Sequence, residues 1–260
     1  MTLKSLTVAA AVFALALPAA ANAVELTAFV SNALKSTVAE HSVTLDKGSG
    51  VILKATYGTT EPLRLRIEKG EMVDFALLGE EAIDDLIKKG KLIADSRVAV
   101  ARAGLGVAIR QGAPKPDLSS AESFKRAMLA AKSISYNERG LTGDYLKVLF
   151  ARLGITDAVK AKHKNGRGAA LVSTGESEIG ITQVSEILIE PGLDIAGLLP
   201  EEIQNYSVFA AAIGTDSEEP EVARQIIRHF VRSEWVKVMV SKGLEPAPRP
   251  ASIPLPVLKP

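Results

Sequence analysis

The sequence predicts an α/β protein whose sheet is divided between two lobes joined by extended crossovers. Short apolar runs alternate with amphipathic segments of about ten residues, which is the pattern of strands followed by helices. Two successive apolar runs, 97–101 and 106–110, have no helix between them. This breaks the regular strand–helix alternation of a closed eight-stranded barrel. Two α/β lobes therefore fit the sequence better than one barrel.

The predicted elements follow in chain order. Strands are buried apolar runs, and helices repeat apolar residues every three or four positions. Pro62 stands in the first turn of its helix, where proline is tolerated, and Gly90 and Gly154 end two others. We predict strands at 26–30, 51–57, 73–78, 97–101, 106–110, 133–136, 179–182, 193–199 and 208–213. We predict helices at 32–40, 61–69, 80–89, 121–131, 143–153, 169–174, 183–188, 221–231 and 234–242.

The order of these elements suggests the domain organisation. Residues 24–103 form the first lobe, which takes back the last elements at 208–247. Residues 104–207 form the second lobe. The segment 248–260 is rich in proline, and we expect an extended C-terminal tail there.

The N-terminus has the pattern of a secretory signal peptide. Lys4 precedes the apolar run 5–17, and Ala21-Asn22-Ala23 is a small-x-small cleavage sequence. The apolar run is shorter than the roughly 20 residues that span a bilayer. We therefore expect residues 1–23 to be removed by cleavage after Ala23. The mature protein would be periplasmic, with no membrane-spanning segment.

Composition excludes several kinds of chemistry. The 31 basic and 30 acidic side chains give a net charge of +1, without the basic excess of a nucleic-acid-binding protein. The absence of cysteine rules out disulfides, thiolate metal sites and cysteine nucleophiles. The three histidines, His41, His163 and His229, have no paired metal-ligand spacing. We expect no metal, no cofactor and no nucleic-acid partner.

Four predicted strands are each followed by a turn of small polar residues that opens a helix. Ligands in α/β sheets gather at the carboxyl ends of the strands. Helix N-termini carry unpaired N–H groups and partial positive charge, so convergent turns of this kind suit an anion. Each hydroxyl taken alone also suits an ordinary helix cap. The predicted ligand-binding residues are Ser31, Asn32, Thr59, Thr60, Arg139, Thr142, Gly143, Gln183 and Ser185.

Several stretches resemble periplasmic solute-binding proteins of the molybdate-binding type. They include residues 29–34 and 57–60 at the first two turns, the run 86–98, and 175–181. The resemblance covers almost all of residues 24–247. It implies a type 2 periplasmic-binding-protein fold, in which two lobes close on a small anion around hinge crossovers. It also implies an inner-membrane ABC permease as a partner.

Some residues depart from the molybdate-binding pattern and favour an organic carboxylate as the ligand. Gln183 stands where that family has a tyrosine, and Arg139 lies in the third turn. An arginine fork grips a planar carboxylate through two hydrogen bonds. Arg167 is a weaker candidate for this role.

Three functions remain open at this point. We favour binding of an organic carboxylate or polycarboxylate for ABC-type uptake. Residues 182–202 resemble a broader group that includes aconitate isomerase, so an allylic proton shift between cis and trans isomers is the alternative. Binding of molybdate or another tetrahedral oxyanion is the third. For an isomerase, the candidate proton-transfer residues are Glu138, Glu61 and Tyr136.

Overall fold

The computed structural model describes residues 23–48 and 50–248. The predicted signal peptide, apart from Ala23, lies outside these residues, as does the predicted tail beyond Pro248. Within the described ranges, no helix is long and apolar enough to cross a membrane.

The first part of the chain alternates strand and helix. Strands β2, β1 and β3 lie side by side in parallel, with Ser31 of β1 opposite Gly58 of β2. The first three strands therefore end at the same edge of the sheet. The elements are β1 (Val24–Ser31), α1 (Lys35–Gly48), β2 (Val51–Gly58), α2 (Thr60–Glu68), β3 (Phe75–Gly79) and α3 (Glu80–Lys88).

Strand β4 (Val98–Arg110) connects the two halves of the sheet. It pairs with β9 (Tyr206–Ile213) as far as Gly104, and from Leu105 it pairs with β7 (Ile179–Gln183) and β8 (Leu193–Leu198). The predicted interruption at 102–105 is wrong. The side-chain amide of Gln204 accepts from Leu105 N at 2.9 Å and donates to Leu105 O at 3.0 Å. The backbone is thus hydrogen-bonded through the change of partners and stays extended.

The second half of the sheet is completed by short elements, and the whole path runs β2-β1-β3-β9-β4-β7-β5-β6. The sequence did not predict α6, β6 or β10, because these short elements contain no apolar run or periodic apolar pattern. Strand β6 forms where His163 pairs with Ile134 of β5. The remaining elements are α4 (Ala121–Ala130), β5 (Ile134–Tyr136), α5 (Leu141–Arg152), α6 (Thr156–Lys160), β6 (His163–Asn165), α7 (Gly168–Ser173), α8 (Val184–Ile187), α9 (Pro220–His229), α10 (Ser233–Ser241) and β10 (Glu245–Pro246).

The predicted α/β fold is confirmed, and the two halves of the sheet have separate hydrophobic cores. Phe75, Phe209 and Trp235 belong to a core against the first half. Phe124 and Phe150 belong to a core against the second. Strand β4 contributes side chains to both cores. The predicted lobe boundaries, 24–103 with 208–247 and 104–207, stay a prediction.

A buried aromatic cluster fixes the end of the first core. The His41 ring stacks on His229 at 4.4 Å between centroids and meets Trp235 edge-on at 4.6 Å. His41 is 8% exposed, and its Nε2 has no hydrogen-bond partner among the described residues. Burial, followed by the neighbouring charge of His229, lowers the pKa of His41 to about 4. The ring is therefore neutral at neutral pH.

This cluster makes the stability of the fold dependent on pH. His41 takes up a proton near pH 6.5 in the unfolded chain and near pH 4 in the folded one. The contribution of the neutral His41 ring to the free energy of unfolding is complete above pH 6.5 and is lost as the pH falls toward 4. With allowance for solvent screening, we expect the free energy of unfolding to fall by about 1–2 kcal/mol from this residue between pH 7 and pH 5.

Urea unfolding of the wild type and of His41→Phe at both pH values measures this contribution. The variant keeps a ring in the cluster but cannot be protonated at position 41, so its stability is expected to change less with pH. An identical pH dependence in the two proteins would show that His41 is not responsible.

Candidate functional site

A cavity of about 50 Å³ lies where turns from both halves of the sheet meet. By the same kind of measure one water needs roughly 10–15 Å³, so the space holds a small ligand rather than a single water. Most of the lining groups are hydroxyls, side-chain amides and backbone at helix starts. The lining residues are Ser31, Asn32, Thr59, Thr60, Asn137, Gly140, Leu141, Thr142, Arg167, Gly168, Thr182, Gln183 and Glu186.

The first wall is formed by the turns after β1 and β2. Because Ser31 pairs opposite Gly58, the hydroxyls of Ser31 and Thr59 are placed at neighbouring strand ends. Neither side chain makes a capping hydrogen bond to its own helix. By contrast, Ser120 caps α4 by accepting from Ser123 N at 3.1 Å. The hydroxyls of Ser31 and Thr59 are therefore free of capping and available to a ligand.

Thr60 fixes the start of α2 against the end of β3. Its Oγ1 accepts from Gly79 N at 3.2 Å, and the residue is buried. This bond uses the hydroxyl as an acceptor and leaves its proton available to donate. The first turn of α2 adds backbone N–H groups that have no partner within the helix. The wall is consequently rich in donors without carrying a cation.

The opposite wall begins with the turn between β5 and α5. Asn137 closes this turn by accepting from Arg139 N at 3.0 Å. A Cβ at Gly143 would lie 2.3 Å from Asn137 O, so only glycine lets α5 approach the turn this closely. The close approach brings Leu141 and Thr142, in the first turn of α5, to the cavity.

Arg167 is the cation of the cavity wall, and its backbone is held by packing. A Cβ at the next residue, Gly168, would lie 2.8 Å from Ser135 O. Ser135 Oγ also donates to Gly168 O at 2.9 Å. The Arg167 side chain is 60% exposed and donates through Nη2 to Glu190. A guanidinium has five N–H donors, so this ion pair leaves others for a ligand.

The last part of the wall follows β7. Thr182 Oγ1, near the end of β7, donates to Glu186 Oε2 in α8, four residues further along the chain. Burial raises the pKa of the Glu186 carboxyl, and the charge of Glu190 acts in the same direction, whereas Thr182 and Arg167 oppose it. Glu186 thus holds its proton at a higher pH than an ordinary glutamate.

The structure brings together six of the nine predicted ligand-binding residues. Three do not line the cavity: Gly143 supports the turn, Arg139 lies in an adjacent groove, and Ser185 is 1% exposed behind the wall. A ligand-binding role for any of the nine stays a prediction. The six in the wall are Ser31, Asn32, Thr59, Thr60, Thr142 and Gln183.

The three predicted proton-transfer residues also lie outside the cavity wall. Glu61 is bound by both oxygens to Arg64 at 2.7 and 2.8 Å, and the hydrogen bond with Arg64 lowers its pKa. Glu138 binds Nδ1 of His163 at 3.0 Å. The Tyr136 ring lies against the His163 ring, with 3.9 Å between the ring centroids. Burial raises the pKa of the Tyr136 hydroxyl. Each of the three side chains therefore contacts another residue, Arg64 or His163, and does not line the cavity.

The sequence analysis ranked Arg167 below Arg139 and did not include Asn137 or Glu186 among the ligand-binding candidates, although Arg167, Asn137 and Glu186 all line the cavity. The turn 182–185 was singled out, and Glu186 is the next residue. Its position directly after that turn was the available signal. The local sequence does not predict that Arg167, and not Arg139, lies in the cavity wall, because that placement comes from tertiary packing.

The sequence and the fold of the whole chain can be compared with those of known proteins. A model of the bacterial extracellular solute-binding protein family matches residues 26–243. An aconitate isomerase from Pseudomonas sp is 31% identical over 232 residues, which cover 86% of this chain and 88% of that protein.

Solved structures with a similar fold include anion-binding proteins. The periplasmic molybdate-binding protein of Azotobacter vinelandii has a TM-score of 0.71 at 17% identity, covering 86% of this chain and 100% of its own. The sulfate-binding protein SubI of Mycobacterium tuberculosis has a TM-score of 0.67 at 15% identity, covering 86% and 87%. The resemblance read from the sequence is confirmed. Since the family model spans most of the sequence and the fold agrees with it, the chain belongs to the bacterial extracellular solute-binding protein family.

Proposed function

We propose that the cavity binds a small organic polycarboxylate. The observation that carries this proposal is the position of Arg167, the one cation among the described lining residues, beside hydroxyl, amide and backbone donors. One carboxylate of the ligand would take the hydroxyls and helix starts, and another the guanidinium. The arginine fork can bind one planar carboxylate through two hydrogen bonds, while the neutral donors bind another. Two separate anion-binding elements therefore favour a ligand with more than one carboxylate.

We further propose that the protein interconverts cis- and trans-aconitate. The 31% identity to an aconitate isomerase along most of both chains supports this reaction. The conversion is a 1,3 shift of a proton along an allylic system, without a net change of oxidation state. It requires a site for three carboxylates and a group that moves a proton. Neither requirement involves a metal or a redox cofactor.

The second candidate function is binding without catalysis. Membership in the solute-binding family favours it, because that fold traps a ligand for delivery. In that case the protein would bind a carboxylate in the periplasm after cleavage behind Ala23. It would then deliver the ligand to an ABC permease. Both candidates use the same cavity, so turnover is the property that separates them.

Proton NMR of trans-aconitate with the purified mature protein tests the reaction directly. We expect the cis isomer to appear at a rate proportional to protein concentration and to stop after heat denaturation. Ligand line broadening without conversion would instead establish the binding function. If the spectra show neither line broadening nor conversion, the proposal of a polycarboxylate site is overturned.

The role of Arg167 is tested with a ligand that cannot react. Tricarballylate carries three carboxylates but no double bond, so its affinity is measured without turnover. We expect Arg167→Gln to weaken its binding by about tenfold or more, or about 1.4 kcal/mol. The expected loss is below that of a fully buried pair because the side chain is partly exposed.

Arg126→Gln is the matched control, because Arg126 is exposed on α4 and absent from the cavity wall. Calorimetric titration of both variants should show the loss only for Arg167. If Arg139→Gln weakens binding and Arg167→Gln does not, the carboxylate lies in the adjacent groove and the assignment of Arg167 is wrong.

A further inference from the structure

Glu186 carries the one carboxyl group among the described residues that line the cavity. The other lining groups are hydroxyls, side-chain amides, a guanidinium, glycines and a leucine. None of those exchanges a proton readily near neutral pH. From this position we infer that Glu186 is the catalytic residue that moves the proton in the isomerisation proposed above, on which this inference rests.

The local geometry holds the carboxyl in place for this role. Glu186 lies in α8, directly after β7, and Thr182 Oγ1 donates to its Oε2. The other oxygen, Oε1, has no hydrogen-bond partner in the part of the chain that the structure describes. One oxygen is therefore fixed by Thr182, and the other is available to a carbon-bound proton of the ligand.

The charges around Glu186 adjust its proton affinity. The titratable groups that act on it are Arg167 and Glu190, which are paired with each other. Burial raises the pKa of Glu186, as does the charge of Glu190, while Arg167 opposes the rise. A general base works best when its pKa is near the operating pH. A ligand carboxylate bound to Arg167 would lie in the same cavity as Glu186.

The proposed step balances without a further reactant. The Glu186 carboxylate removes a proton from the methylene carbon of aconitate, so a C–H bond breaks and an O–H bond forms. The double bond moves by one carbon, and the carbon that was vinylic takes a proton back from Glu186. A new C–H bond forms and the carboxylate is regenerated. Arg167 would stabilise the negative charge that spreads onto the neighbouring ligand carboxylate.

Glu186→Gln tests the assignment, because glutamine keeps the shape and removes the titrating group. We expect the rate of trans-aconitate conversion to fall by about 100-fold or more, the usual scale for loss of a general base. Tricarballylate binding should stay within about threefold of wild type. Glu186→Asp should retain more activity than Glu186→Gln, since it keeps a carboxylate.

Two further variants are compared with Glu186→Gln, one as a control and one as a rival for the proton-transfer role. Glu122→Gln, on the exposed face of α4, is the control and should leave the rate unchanged. Glu138→Gln tests the rival carboxylate from the sequence analysis. Circular dichroism should verify that each variant is folded.

Wild-type activity should also rise with pH, with a midpoint above the ordinary range of a glutamate.

The outcomes separate this inference from the proposed function. Absence of conversion by the wild type would overturn the isomerase function itself. If the wild type is active and Glu186→Gln keeps a third or more of its rate, Glu186 is not the proton-transfer group. A loss of tricarballylate affinity as large as the loss of rate would also overturn the inference, because Glu186 would then act in binding alone.

Discussion

The cavity depends on one strand that is hydrogen-bonded to both halves of the sheet. Strand β4 pairs with β9 before Gly104 and with β7 and β8 after it, and Gln204 bonds the backbone of Leu105 between them. Each half has its own core, so the position of one half relative to the other is set mainly by this crossover. The turns after β1 and β2 then face those after β5 and β7 across a single small space.

Within that space, the protein provides a positive potential chiefly from neutral groups. The helix starts at Thr60 and Leu141 present N–H groups, and burying them costs less than burying several cations. Arg167 and Glu186 are the charged exceptions, and they occur side by side. An ionised carboxyl in the wall would repel an anionic ligand, so anion binding alone does not account for it. A site for proton transfer requires such a group, which is why the pair supports an isomerase over a pure binding protein.

The sequence was sufficient to predict the fold and six of the thirteen residues that line the cavity, but not its charged groups. The turns at Ser31 and Thr59 were identified because they follow strongly apolar strands, and strand ends converge by geometry. Arg139 was preferred to Arg167 because it lies in such a turn. The structure instead places Arg167 in the wall, through the packing of Gly168 against Ser135 O, a contact between residues 33 positions apart. Long-range packing of that kind leaves no periodic pattern in a single sequence.

Calorimetric titration of the ligand-free mature protein with tricarballylate and, separately, with molybdate tests the central claim most directly. The two ligands differ in whether they need a second anion-binding element beside the neutral donors. The account predicts saturable binding of the tricarboxylate and at least tenfold weaker binding of molybdate. Tight binding of molybdate with no heat from the tricarboxylate would contradict it, and would identify the cavity as a tetrahedral oxyanion site.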